Sequence, residues 1–239
     1  MRQLSVLIRG EFKRLIRYKL IQVGFGVSIL WVMVMFLIGP EEAGAFVPMF
    51  IFMDVAMMTV LLIGASFFYE RQENTLKSML TSPASMRSII ASKMFSAVYI
   101  ALQSSLFIGL IAYFFFNVDI NFFLLIPFSI LIAFFHAMIG YTFAVLVEDF
   151  PALLALMMAY MILFGFPSLF YALGLLSETL ETILLISPTH ASMLLIDYAF
   201  YASNDLWIIA LGIVYLLIAS IVLSNMVVFP KYIDKAIKE

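Results

Sequence analysis

The sequence contains no cysteine and only two histidines among its 239 residues. The absence of cysteine excludes a disulfide framework, a thiolate metal site and a cysteine nucleophile. No Gly-Lys dipeptide occurs, so the chain lacks a phosphate-binding loop of the G-x-x-x-x-G-K-[ST] type. It also lacks the H-E-x-x-H metal motif and the G-x-S-x-G nucleophile motif. We therefore expect this chain not to be an enzyme, and to hold no cofactor and no metal ion of its own.

Charged residues are also scarce, and apolar residues dominate. Only 12% of the residues are charged and 65% are hydrophobic, whereas a soluble domain is nearer a quarter charged and half apolar. A soluble fold of this size could not bury so much apolar surface. The composition predicts an integral membrane protein, with lipid and not nucleic acid as its surroundings.

Six apolar stretches are each long enough to cross a hydrocarbon core of roughly 30 Å, which takes about 20 helical residues. They are predicted at 20–38, 46–68, 94–116, 122–147, 152–176 and 206–229. The predicted fold class is all-α: residues 1–239 form a single polytopic membrane domain with six transmembrane helices.

The positions of the basic residues predict the orientation of these helices. All thirteen Lys and Arg residues lie in the N-terminal segment, in the loop 69–93 and in the tail after residue 229. Basic residues are retained on the cytoplasmic side of a membrane, so we predict that both termini are cytoplasmic. The first span follows a densely charged stretch and has no small-residue cleavage site, so we expect a retained anchor and not a removable signal peptide.

The segment 1–19 combines six basic residues with the apolar face of a helix. Leu4, Ile8, Phe12, Leu15 and Ile16 share an arc of about 120°. This pattern is typical of an amphipathic helix lying in the membrane interface, with its basic face toward anionic headgroups. The alternative is a positively charged flank that only orients the first span.

The outer segment 177–205 is long and apolar, but Ser187-Pro188 interrupts it. Ser187 can cap a helix whose first turn starts at Pro188. We predict two short helices, 180–186 and 191–200, that enter the outer leaflet without crossing it. A seventh span here would bury three ionisable residues and move the basic tail outside.

The cytoplasmic loop 69–93 predicts a short amphipathic helix, a break, and a second helix that leads into the third span. Glu73 and Lys77 are spaced to pair along the first helix. Ser82 can cap the second helix and Pro83 can open it. A compact charged helix beneath two spans can transmit a push from a soluble partner, but a solvated tether is also compatible with the spacing.

This loop resembles the signature of type-2 ABC exporter permeases. That signature is an acid at the end of the second span, then Gly-Thr-Leu, an apolar pair, Ser/Thr-Pro, and a Lys that opens the third span. The corresponding residues here are Glu70 and Glu73, Thr75-Leu76, Met79-Leu80, Ser82-Pro83 and Lys93. Asn74 stands where the family has Gly, and Asn tolerates a left-handed backbone better than most residues. Asp54 and the run Ser187-Pro188-Thr189 are similar to the small drug-export permeases of the fluoroquinolone type.

The resemblance implies the permease subunit of an ATP-driven exporter in the prokaryotic cytoplasmic membrane, moving a hydrophobic or amphipathic substrate such as a drug by alternating access. It further implies a second permease copy, most simply a homodimer, and a cytosolic ABC ATPase that binds the ATP and Mg. The positions it implies for coupling to that ATPase are Glu70, Glu73, Thr75, Leu76, Leu80 and Pro83.

Asp54 and His136 are the ionisable residues inside the predicted spans, and such residues are functional candidates by default. At about 1.5 Å per residue, they lie roughly 12 Å and 20 Å from the outer ends of their spans, so we expect no direct pair between them. Gln103 falls near the depth of His136, which predicts a Gln103–His136 hydrogen bond. Structural roles are the alternative for both ionisable residues.

The fifth span supplies two more candidates for the substrate path, Tyr160 and Phe164. Gly165 and Pro167 can interrupt the helix beside them and open a cavity. Aromatic and thioether side chains adapt to varied apolar shapes, although most of the 25 Phe and 16 Met residues also suit lipid-facing packing.

Two other functions remain open. An ion-coupled secondary transporter would use Asp54 and His136, although such folds often contain inverted repeats and none is evident. A membrane-anchoring protein without transport activity is the third possibility.

Overall fold

The computed structural model describes residues 2–75, 84–177, 180, 183–202 and 205–232. Within these residues the chain is helical and contains no strand. The helices are α1 Arg2–Arg17, α2 Leu20–Ile38, α3 Pro40–Phe52, α4 Thr59–Gln72, α5 Met86–Phe116, α6 Phe122–Leu146, α7 Phe150–Tyr160, α8 Phe166–Ala172, α9 Pro188–Tyr201 and α10 Leu206–Leu223. Three π-helical turns, Met53–Met58, Met161–Gly165 and Ser224–Val228, join α3 to α4, join α7 to α8 and follow α10.

Six helical segments are long and apolar enough to cross a membrane. They are Leu20–Ile38, Glu42–Gln72, Arg87–Phe116, Phe122–Leu146, Phe150–Ala172 and Leu206–Tyr232. The all-α, six-span prediction is therefore confirmed, while the cytoplasmic placement of both termini stays a prediction. The second and third spans are longer than predicted because the helix continues past the apolar stretch into its charged ends.

Helix α1 is amphipathic and packs against the third span. Phe12 meets Tyr99 edge to face, with ring centroids 4.8 Å apart, and Leu15 is buried. Ile16, which was expected on the same apolar arc, is 55% exposed, so only part of that arc packs against α5. The left-handed backbone of Lys19, with φ of 58°, turns the chain from α1 into α2.

The second and fourth spans pack closely together at Gly140, where the absence of a side chain leaves room for the neighbouring backbone. A Cβ atom on Gly140 would lie 2.7 Å from the carbonyl oxygen of Val60. Gly64 has a similar role toward the fifth span, since its Cβ would lie 2.8 Å from Leu153. These two glycines allow the backbones of neighbouring spans to approach, as small residues do at membrane helix interfaces.

The outer segment contains the helix that Ser187-Pro188 predicted. The Ser187 hydroxyl accepts a hydrogen bond from the His190 amide, and Pro188 occupies the first turn of α9. Most of α9 is buried against the spans, so this helix is part of the core. The first predicted outer helix, 180–186, lies partly outside the described residues.

The helix of the third span begins later than the sequence indicated. Ser85 is its cap, and its hydroxyl accepts a hydrogen bond from the Ser88 amide at 3.2 Å. The predicted cap and opening residues, Ser82 and Pro83, lie outside the described residues.

Candidate functional site

Four charged side chains from three helices meet at one end of the molecule. Glu70, near the end of α4, accepts hydrogen bonds from Lys93 of α5 and from Arg14 of α1, the latter at 2.9 Å. Arg14 also pairs with Glu11 of α1 at 3.0 Å, and Lys93 lies 3.5 Å from the same Glu11 oxygen. We call Glu11, Arg14, Glu70 and Lys93 the ion-pair cluster.

Glu11, Glu70 and Lys93 of the ion-pair cluster are buried, Arg14 is 20% exposed at its side chain, and the four charges balance. The Glu70 side chain is 0% exposed and that of Lys93 is 1% exposed. Two positive and two negative groups offset the cost of removing these charges from water, which an isolated charge could not do. Burial alone would lower the pKa of the Arg14 guanidinium, but Glu11 and Glu70 outweigh it and raise that pKa.

A second, more exposed contact joins the same helices one turn further along. Glu73 pairs with Arg17 at 3.2 Å and accepts a hydrogen bond from the Tyr18 hydroxyl at 2.7 Å. The Tyr18 ring stacks on Tyr69, with centroids 4.8 Å apart. Burial and then the hydrogen bond to Glu73 raise the pKa of Tyr18. The N-terminal helix is thus fastened to both acidic residues of the predicted coupling motif.

The turn after α4 passes through a left-handed residue. Asn74 has φ of 55°, a conformation that Asn tolerates better than most residues. The Thr75 hydroxyl donates a hydrogen bond to the Glu70 carbonyl at 2.9 Å. Glu70, Glu73 and Thr75 are thus brought together. The remaining coupling candidates Leu76, Leu80 and Pro83, and the predicted partner Lys77, lie outside the described residues.

Sequence reasoning missed Glu11 as a member of the cluster. Its signal was present, because Glu11 is the one acidic residue in a segment with six basic residues. A single carboxylate among six basic residues indicates an ion pair with one or more of them. In the structure Glu11 is buried, and its carboxylate lies 3.0 Å from Arg14 and 3.5 Å from Lys93.

Asp54 lies in the π-helical turn of the second span and is fully buried. Its Oδ2 atom accepts a hydrogen bond from the Ser28 hydroxyl at 2.5 Å, and Ser28 lies 3.2 Å from the hydroxyl of Ser104. Asp54 therefore joins the first, second and third spans through hydroxyl groups. This contact places Asp54 between these spans, while its Oδ1 atom has no hydrogen-bond partner among the described residues.

His136 is also fully buried, and its partners differ from those predicted. Its Nδ1 atom lies 2.9 Å from the Ile132 carbonyl, which can only accept, so Nδ1 carries a proton. Its Nε2 atom can then accept from the Tyr160 hydroxyl at 3.4 Å. The predicted Gln103–His136 hydrogen bond is wrong. The contacts of His136 are with Ile132 and Tyr160 instead, and Gln103 is partly exposed.

The predicted break in the fifth span is present as the π-helical turn Met161–Gly165. The Phe164 carbonyl accepts hydrogen bonds from Ser168 at 2.8 Å and from Thr189 at 2.5 Å. Thr189 in turn lies 2.8 Å from the Ser187 hydroxyl. The Ser187-Pro188-Thr189 run thus attaches α9 to the break. We call the Phe164 carbonyl and the hydroxyl groups of Ser168, Ser187 and Thr189 the Phe164 clamp. Tyr160 and Phe164 are adjacent, with ring centroids 5.4 Å apart.

A cavity of about 540 Å³ lies between the outer turns of the second span, α8 and α9. We call it the outer cavity. Its lining includes Phe46, Met49, Tyr171, His190, Asp197 and Tyr201. Burial raises the pKa of the Asp197 carboxyl to about 7. The Tyr201 hydroxyl donates a hydrogen bond to the Gly44 carbonyl at 3.2 Å, and the rings of Tyr171 and His190 meet edge to face at 5.2 Å.

Comparison with models of protein families matches residues 2–200 to the ABC-2 type transporter family. The chain belongs to the ABC-2 type transporter family. The matched residues include the first five spans, the ion-pair cluster, the Phe164 clamp and the lining of the outer cavity except Tyr201. Searches of the curated proteins and of the solved structures found no match.

Membership of the ABC-2 type transporters makes this chain a membrane-spanning permease component. The ion-pair cluster lies where the loop between the second and third spans leaves the helices of these spans. No group of three or more potential metal ligands lies within the described ranges.

Proposed function

We propose that this chain is the permease subunit of an ATP-driven exporter, powered by a separate cytosolic ABC ATPase. The ATPase binds the ATP and Mg and pushes on the loop that follows Glu73. The permease pairs with a second copy and moves a hydrophobic or amphipathic substrate outward, as a drug exporter of the prokaryotic cytoplasmic membrane does.

The observation that carries the proposal is the position of the ion-pair cluster. Glu70 lies three residues before the loop residue Glu73, and Lys93 lies in the second turn of α5 after the loop returns. Arg14 adds the N-terminal helix to the same contact. Breaking a buried ion pair costs about 3–5 kcal/mol, so a displacement of the loop is expected to move all three helices together.

A hydrolysis and transport assay on the permease–ATPase complex tests this coupling. Glu70→Gln leaves the positive charges of the ion-pair cluster in excess, and we expect it to reduce substrate-stimulated ATP hydrolysis and transport at least about tenfold. The double variant Glu70→Gln/Lys93→Gln restores the balance of charge, leaving the Glu11–Arg14 pair. It should insert and pack better than the single variant, but still couple poorly because α4 and α5 are no longer joined.

The matched control is Glu42→Gln, which neutralises an exposed carboxylate near the opposite end of the same span. It should leave hydrolysis and transport unchanged. Normal coupling in a well-folded Glu70→Gln/Lys93→Gln double variant would contradict the role of the ion-pair cluster.

The geometry gives no support to ion-coupled transport through Asp54 and His136. Asp54 contacts Ser28, while His136 contacts Ile132 and Tyr160. None of these contacts joins Asp54 to His136.

A further inference from the structure

The outer cavity is lined by apolar and aromatic side chains together with one carboxylate, the imidazole of His190 and the hydroxyl of Ser168. Its volume of about 540 Å³ falls within the range of about 300–1,000 Å³ that is usual for small-molecule sites. Phe46, Tyr171 and Tyr201 contribute aromatic surface, and Met49 contributes an adaptable thioether. These walls suit the hydrophobic body of an amphipathic molecule.

Asp197 gives the cavity its charge. Within the described part of the chain, no hydrogen-bond donor or cation contacts its carboxylate. The sequence accounts for the absence of a Lys or Arg partner, since neither occurs between residues 20 and 70 or between 94 and 230; the basic side chain in the lining is His190. A carboxylate withdrawn from water without a partner is costly, so a cation entering the cavity would be favoured and an anion would be repelled.

We propose that the outer cavity binds an amphipathic organic cation, with Asp197 as the counter-ion of its positive group and the aromatic walls around its body. The faces of Phe46 and Tyr201 can add cation–π attraction. This inference rests on the proposed export function and names its substrate class. A free amphiphile and a lipid with an ammonium headgroup share this chemistry.

The cavity lies far from the place where force is applied. Glu70 follows Met49 by 21 residues along the second span, or roughly 31 Å at 1.5 Å per helical residue. The cavity also touches Ser168, a member of the Phe164 clamp. A bound cation would therefore contact the outer part of the second span, the broken fifth span and α9 together.

Binding of radiolabelled tetraphenylphosphonium to the full chain in phosphatidylglycerol nanodiscs, without ATP, tests the proposal. Binding to empty nanodiscs is subtracted as background. Asp197→Asn keeps the shape of the side chain but removes its charge, and we expect affinity to fall at least about tenfold. Asp197→Glu retains the charge and should recover part of the affinity, which shows that the site remains folded.

The matched control is Asp119→Asn, because Asp119 is an exposed carboxylate in the loop between the third and fourth spans. Its affinity should equal that of the unmodified chain. Equal affinity of Asp197→Asn and the unmodified chain, or no saturable binding by the unmodified chain, would overturn the assignment.

Adding phosphatidylethanolamine to the nanodiscs distinguishes the two sources of the cation. Displacement of tetraphenylphosphonium assigns the cavity to a lipid ammonium group, and undiminished binding assigns it to a free amphiphile. Because binding requires no ATP, a chain that binds the cation but never stimulates an ATPase would refute the proposed exporter and leave the cavity assignment standing.

Discussion

At the scale of single residues, Gly140 sets how closely the second and fourth spans pack. A side chain at this position meets the backbone of Val60, which cannot rotate away as a side-chain tip could. Asn74 is a second position where the residue type is restricted, in this case by the backbone. Its φ of 55° is unfavourable for most residues with a Cβ atom.

Gly140→Ala should destabilise the protein by about 1–3 kcal/mol, the usual cost of overpacking a tight interface. Thermal unfolding in detergent measures the change. Gly26→Ala is the matched control, since no neighbouring atom lies within 4 Å of a Cβ atom there. Equal stability of the two variants would show that the spans can separate at Gly140 without cost.

At the scale of helices, the Phe164 clamp and the ion-pair cluster hold opposite ends of the molecule. The clamp uses neutral hydroxyl groups to attach α9 to a break in the fifth span. The cluster uses balanced charges to attach α1 to the second and third spans. Both devices join elements that are distant in sequence, and both lie next to a helix end or a helix break.

Thr189→Val should loosen α9, because it keeps the shape of the side chain but removes the hydrogen bond to the Phe164 carbonyl. The expected cost is about 0.5–1.5 kcal/mol, the net contribution of one hydrogen bond, because the Phe164 carbonyl still accepts a hydrogen bond from Ser168. The loosening of α9 should be measured as faster hydrogen–deuterium exchange of residues 188–201.

Thr59→Val provides the comparison for that experiment. Thr59 is equally buried, but among the described residues its hydroxyl has no hydrogen-bond partner. Its replacement should be neutral or stabilising. Unchanged exchange of α9 in Thr189→Val would argue against the clamp.

At the scale of the whole molecule, composition and charge placement were enough to predict six membrane spans, and local chemistry predicted the Ser187 cap. The Gln103–His136 contact was wrong because spacing gives the depth of a residue in a span, but not the direction it faces. Glu11 was missed because its burial depends on α1 packing against α5. The π-helical turn at Asp54 has no Gly or Pro to mark it, whereas Gly165 and Pro167 indicated the break in the fifth span.

The central claim is that this chain is the permease and that a separate ATPase supplies the energy. Transport in sealed vesicles tests this claim most directly. Vesicles containing the permease and its co-purified ATPase should move an amphipathic cation when ATP is added. The permease alone, with or without a proton gradient, should move none. Transport by the permease alone, driven by a proton gradient without ATP, would contradict the account.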